Sequence, residues 1–153
     1  MNNLIFEKSI LYNQLFKELD QLYRNYAKDS GLSDTMFWIL YFIQEQNEAY
    51  TQKELCDIWF YSKQTVNSAL KNLESQNLIK LTPSPNNRKK KQIFLTPSGK
   101  ELATKIIVPL MKAEESALSK MGEKSFDEFL RLTKEHINLL NIEMQKISNT
   151  LSK

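Results

Sequence analysis

Glycine and proline are scarce in this chain, three and four among 153 residues. Helix interiors penalise both residue types, whereas turn-rich sheet folds consume them, so the scarcity excludes an all-β architecture and predicts long helices. A single cysteine, Cys56, excludes an intramolecular disulfide framework and fits a reducing cytoplasm. Cys56 and the lone histidine, His136, cannot furnish a metal cluster between them, so neither a metal nor another cofactor is expected. No apolar run is long enough to cross a bilayer, and the opening "MNNLIFEKSILYNQLFKELD" carries charges throughout, unlike a signal peptide. The expected location is cytoplasmic, with no membrane partner. Glycine-rich phosphate loops and nucleophile motifs are missing too, which makes an enzyme the weakest functional reading.

What remains is an ordinary globular composition, 41% apolar and 25% charged, at a length suited to one domain. The net charge is only +3, but it is unevenly placed. Between Ser62 and Lys91 stand Lys63, Lys71, Lys80, Arg88, Lys89, Lys90 and Lys91 against the single anion Glu74, so the rest of the chain is net acidic. A basic window in an acidic chain is the electrostatic footprint of a nucleic-acid-binding element.

Apolar positions recur at three- and four-residue steps from Leu4 to Tyr26, predicting an amphipathic helix. Gly31 should end it and Ser33 cap the next helix, whose run from Met36 to Ile43 is apolar enough for the middle of a domain. Thr51 and Glu54 form a capping box for a short helix ending near Trp59. Ser62 then caps "KQTVNSALKNLESQ", with Val66, Ala69, Leu70 and Leu73 on one face and short hydrogen-bonding residues on the other. Two strand-like runs, "LIKLT" and "KQIFLT", enclose turn residues from Pro83 to Asn87 and predict an antiparallel hairpin. Thr96 caps a helix that has Pro97 at its first position and runs toward Met121, bent or interrupted at Pro109. Ser125 and Glu128 form a second capping box, opening a last helix with a wide apolar stripe from Phe126 to Ile147.

The segment "TQKELCDIWFYSKQTVNSALKNLESQNLIK", a hairpin, and then "FLTPSGKEL", with long helices on both flanks, resembles the MarR family of bacterial transcriptional regulators over essentially the whole chain. The resemblance implies a mainly α fold with a small β-hairpin wing. A winged helix–turn–helix lobe at about residues 33–96 would be flanked by dimerisation helices at about 1–30 and 97–153, all within one domain. Three departures from the family pattern stand out: Cys56 replaces a small residue, Phe60 a glycine, and Ser84, Asn87 and Lys89 the acids and arginine that brace the wing. Cys56 reads as a buried small apolar group.

The resemblance further implies a homodimer on a pseudo-palindromic double-stranded DNA operator, most simply as a repressor. Lys63, Gln64, Thr65 and Asn67 would read base edges, while Ser62, Ser68 and Lys71 would hold phosphates. In the wing, Asn86, Asn87, Arg88, Lys89, Lys90 and Lys91 would follow the sugar–phosphate backbone. A small aromatic or anionic effector, such as family members often bind, would sit near Tyr12, Phe16, Tyr23, Phe37, Trp38 and Tyr41; the alternative for these rings is plain core. The competing function is a winged-helix interaction module whose basic wing docks an acidic protein.

Overall fold

A computed structural model describes residues 3–45, 50–84 and 87–151, with side chains except at Glu45, Asn87, Arg88, Lys89 and Lys90. Its elements run in the order α1 (Asn3–Asp29), α2 (Asp34–Glu45), β1 (Tyr50–Thr51), α3 (Gln52–Trp59), α4 (Lys63–Ser75), β2 (Ile79–Ser84), β3 (Asn87–Leu95), α5 (Pro97–Met121) and α6 (Glu123–Leu151). The chain divides into two compact units, Met1–Val108 and Pro109–Lys153.

In the first unit, Gly31 closes α1 in the left-handed region at φ 75°, and the Leu32 amide bonds back to the Ala27 carbonyl. The Ser33 hydroxyl then accepts the Met36 amide and starts α2. Phe37 and Leu40 of α2 are fully buried, with Met36, Ile39 and Ile43 nearly so, as the apolar run predicts. Around them pack Leu55, Val66, Leu73, Ile79, Ile93 and Ile107, drawn from α3, α4, both hairpin strands and α5. Burying such side chains stabilises the unit by about 1.5–3 kcal/mol each, before the entropy of ordering them is charged against it.

The sheet has three strands in the order β1-β3-β2. The hairpin is longer than its sequence signals: Pro83 and Ser84 continue β2, Asn87 opens β3, and Pro83 faces Lys91 across the ladder. Proline is tolerated there because β2 is an edge strand, and the register shifts between Pro83 and Ser84, where the regular ladder ends. β1 was not foreseen; its two residues pair Tyr50 with Ile93 and Thr51 with Gln92.

The hairpin closes at its base through Thr96. Its amide bonds to the Leu78 carbonyl at 3.1 Å, and its hydroxyl donates to the Asn77 carbonyl at 2.6 Å. The same hydroxyl accepts the Gly99 amide at 3.0 Å, capping α5. A β-carbon at Gly99 would lie 1.9 Å from the Leu78 carbonyl oxygen, so only glycine lets the helix start this close to the strand.

At the helices that follow, Pro109 lies inside α5, so of the two outcomes expected there interruption does not occur. The second capping box needs correction. The last helix begins at Glu123, directly after Gly122 at φ 83°, and the Phe126 amide bonds to the Gly122 carbonyl. Ser125 is therefore inside α6 rather than at its cap, and Glu128 pairs with Arg131 at 2.7 Å. That charge-assisted hydrogen bond holds the Glu128 carboxyl below the usual range and the Arg131 guanidinium above it. No described residue of α6 is buried, and Phe129, Leu130, Ile137, Leu140, Met144 and Ile147 are all exposed. In the first unit α1 likewise exposes Leu4, Ile5, Leu11, Leu15, Leu19 and Leu22, burying only Ala27.

Candidate nucleic-acid interface

Local sequence fixes how α4 is presented. The Thr51 hydroxyl accepts the Glu54 amide while the Glu54 carboxylate accepts the Thr51 amide at 2.6 Å, completing the predicted capping box of α3. At the other end of α3, Phe60 is the C-cap in the left-handed region at φ 54°, a conformation costing a residue with a β-carbon about 1–2 kcal/mol. The chain then turns, and the Ser62 hydroxyl accepts the Thr65 amide at 3.1 Å to start α4. The Gln52 side-chain amide donates to the Lys63 carbonyl at 3.1 Å, pinning the first residue of α4 to the first residue of α3.

This arrangement buries Val66, Ala69, Leu70 and Leu73 and leaves Ser62, Lys63, Gln64, Thr65, Asn67, Ser68 and Lys71 exposed. The seven residues assigned to DNA from the sequence thus share the open side of one helix. The hydroxyls of Ser62 and Thr65 also bond to each other at 2.8 Å, so both take part in the cap.

Beside α4 a groove of about 570 Å³ runs between α3, α4 and the hairpin. Lys53, Lys63, Lys71 and Lys91 line it, and among the described residues no Asp or Glu does, so these side chains make it basic. Leu70, Leu81 and Ile93 form its apolar floor, and Asn67 offers an amide at its edge. Lys53 was missed by the sequence reading because it precedes the basic window; the packing of α3 on α4, with the Gln52–Lys63 link, brings it there. Lys80 belongs to the window but not to the groove, since its ammonium lies 5.9 Å from the centre of the Phe94 ring. Cys56 is half-buried and lines this groove, which corrects the reading of it as a buried core residue: its face of α3 meets α4 across an open channel rather than a packed seam.

Of the predicted wing residues, Lys91 is exposed on β3 and reaches the groove. The backbone places Asn87, Arg88, Lys89 and Lys90 along β3, whereas Asn86 lies outside the described residues. Ser84 and Asn87 are cross-strand partners.

The six aromatics assigned to an effector cleft are spread over α1 and α2, and none of them lines the basic groove. Phe37 is fully buried, so it is core, while Tyr12 and Phe16 pair on an exposed stretch of α1 with ring centres 4.6 Å apart. Tyr23, Trp38 and Tyr41 meet in a chain of ring contacts, 5.0 Å and then 5.4 Å between centres. Rings that the sequence reading left out extend this cluster: Trp59 packs 4.6 Å from Trp38 and 4.8 Å from Phe42. The buried indole N–H of Trp59 has no hydrogen-bond acceptor among the described residues. Nearby, the Tyr61 hydroxyl donates to Asp34 at 3.3 Å, and burial first and the Asp34 carboxylate second push its pKa above the ordinary tyrosine value.

Residues 30–90 match the model of the MarR family. The HTH-type transcriptional regulator SarZ of Staphylococcus aureus MRSA252 is 30% identical over 125 residues, spanning 82% of this chain and 76% of that protein. SarZ of Staphylococcus epidermidis RP62A is 29% identical over 124 residues, 81% of this chain and 75% of that protein. Among solved structures, S. aureus MepR in its DNA-binding conformation aligns at a TM-score of 0.73 and 20% identity, covering 87% of this chain and 98% of MepR. The S. aureus MepR–DNA complex gives 0.69 at 20% identity, over 87% and 97%. A MarR family regulator from Neisseria meningitidis gives 0.73 at 23% identity over 98% and 99%. At such identities these structures establish the winged-helix fold.

Proposed function

The chain belongs to the MarR family and is a winged-helix transcriptional regulator rather than an enzyme; from that premise we propose that it is a cytoplasmic homodimer that reads a pseudo-palindromic double-stranded DNA operator, as a repressor. The observation that carries the proposal is the open side of α4, where seven polar and cationic residues stand beside a groove lined, among the described residues, by four lysines and no carboxylate. A merely solvated helix face would mix both signs of charge. MepR, whose fold this chain shares, was solved on DNA, which supports the same use here.

In this reading α4 enters the major groove. Gln64 and Asn67 can each pair a donor and an acceptor with adenine, Lys63 can reach guanine acceptors, and the Thr65 methyl can meet a thymine methyl. Ser62, Ser68 and Lys71 hold phosphates and set the register. The wing, with Asn86, Asn87, Arg88, Lys89, Lys90 and Lys91, follows the backbone of the flanking DNA. The exposed apolar residues of α1 and α6 find their cover in a second copy, whose α4 would read the other half-site about one helical turn away. A small aromatic or anionic effector held among Tyr12, Phe16, Tyr23, Trp38 and Tyr41 would release DNA by favouring a dimer with mismatched half-site spacing. Phe37, being fully buried, would support that site from beneath.

The test is retention of genomic fragments by the purified protein, followed by titration of a retained fragment at several salt concentrations. Binding should weaken steeply as salt rises. Replacing Lys89, Lys90 and Lys91 with alanine should weaken binding to every sequence and flatten the salt dependence. Identical salt slopes for variant and wild type would remove the wing from the interface.

A further inference from the structure

Four described residues adopt positive φ: Gly31, Gly122, Asn77 and Phe60. Three are of types that tolerate the left-handed region, through lack of a β-carbon or a short polar side chain; Phe60 is not. Its ring gains nothing in exchange from packing, since the residue is 94% exposed. The chain therefore carries backbone strain and a solvated aromatic ring at one position, where glycine would relieve both. A strained, unpacked aromatic that the fold does not need is a candidate for use in a bound state.

Its place in the chain says which bound state. Phe60 precedes the α4 cap residue Ser62 by two positions, which limits the separation of their α-carbons to about 7 Å. We infer that Phe60 is a DNA-contacting residue, packing its ring against deoxyribose in the strand that meets the N-terminus of α4. The inference rests on the DNA-binding reading above and adds a contact of a different kind to it. Phosphates are matched by cations, and the base edges, thymine methyls included, face the major groove that α4 itself would fill; the apolar surface on the backbone strand beside its N-terminus is the face of the sugar. Such a contact displaces no counterions, so it raises affinity without steepening the salt dependence, and it is blind to sequence because every nucleotide carries the same sugar. Covering the ring also withdraws apolar area from water.

The test titrates a genomic fragment retained by the wild-type protein, and an unrelated duplex, against four proteins at several salt concentrations. Phe60→Gly and Phe60→Asn should both weaken binding about tenfold, as expected for losing most of a buried ring. The loss should be equal on the two duplexes, with unchanged salt slopes. Phe60→Trp should stay within about threefold of wild type, and thermal midpoints of Phe60→Gly and Phe60→Asn should be no lower than that of wild type. Wild-type affinity in Phe60→Asn would overturn the inference, because a loss confined to the glycine variant reports a loosened turn rather than a missing ring. A loss accompanied by a flatter salt slope would overturn it as well. Failure of the wild-type protein to retain any fragment would instead strike at the DNA-binding reading itself.

Discussion

The Tyr26 hydroxyl donates a 2.7 Å hydrogen bond to the main-chain carbonyl of Ile106, joining α1 to the α5 turn that precedes Pro109. The bond ties two elements eighty residues apart in sequence through a half-buried hydroxyl. Tyr26→Phe should destabilise the protein by about 0.5–1.5 kcal/mol, the net worth of one intramolecular hydrogen bond. Urea denaturation would show it as a lower midpoint at unchanged slope.

Gly99→Ala should cost more. Its β-carbon would fall 1.9 Å from the Leu78 carbonyl oxygen, and main chain cannot step aside as a flexible side chain does. The expected loss is about 2 kcal/mol or more, with weaker DNA binding because the base of the wing must shift. Thermal unfolding together with fragment titration checks both parts.

Asn67→Ala should act on discrimination rather than on charge. Asn67 is exposed on α4 and edges the basic groove, with no part in the Ser62 cap. Its loss should cost about 1–3 kcal/mol on the retained fragment and far less on unrelated DNA, leaving the salt slope unchanged. Equal losses on both duplexes would move Asn67 from base reading to backbone contact.

Leu140→Glu should split the proposed dimer. Leu140 is 47% exposed on α6, within an apolar stripe that nothing in the described chain covers. A charge buried there without a partner would be strongly unfavourable. Sedimentation should give twice the chain mass for wild type and the single-chain mass for the variant, with secondary structure retained.

Alkaline titration should single out Tyr61. Its pKa is raised, by burial and by Asp34, so the protonated hydroxyl is favoured in the folded state. The contribution to stability is fully present below the ordinary tyrosine value and is lost as pH rises through the higher folded one. Tyr61→Phe should remove that part of the pH dependence, which unfolding midpoints measured on both sides of pH 10 would reveal.

How much of this was legible depended on whether the signal lay within one element. The caps at Thr51, Ser62 and Thr96 each sit beside the helix they start, and the buried face of α4 repeats at helical spacing, so both could be read from neighbouring residues. Ser125 and Glu128 carried the same local pattern, but Gly122 ended α5 three residues earlier and the helix started without them. Pro83 and Asn87 looked like turn residues because nothing in their own vicinity states that β2 is an edge. Trp59 and Phe42 are seventeen positions apart and meet only once α2 and α3 pack, so their pairing had no trace in the periodicity. Lys53 joined the groove by the same kind of long-range event.

The two-residue strand β1 is the shortest element of the chain, yet it pairs with β3 and runs straight into the Thr51 cap of α3. The hairpin and α3 consequently share one joint. A displacement of α3 is therefore passed to β3 through the pairs Tyr50–Ile93 and Thr51–Gln92.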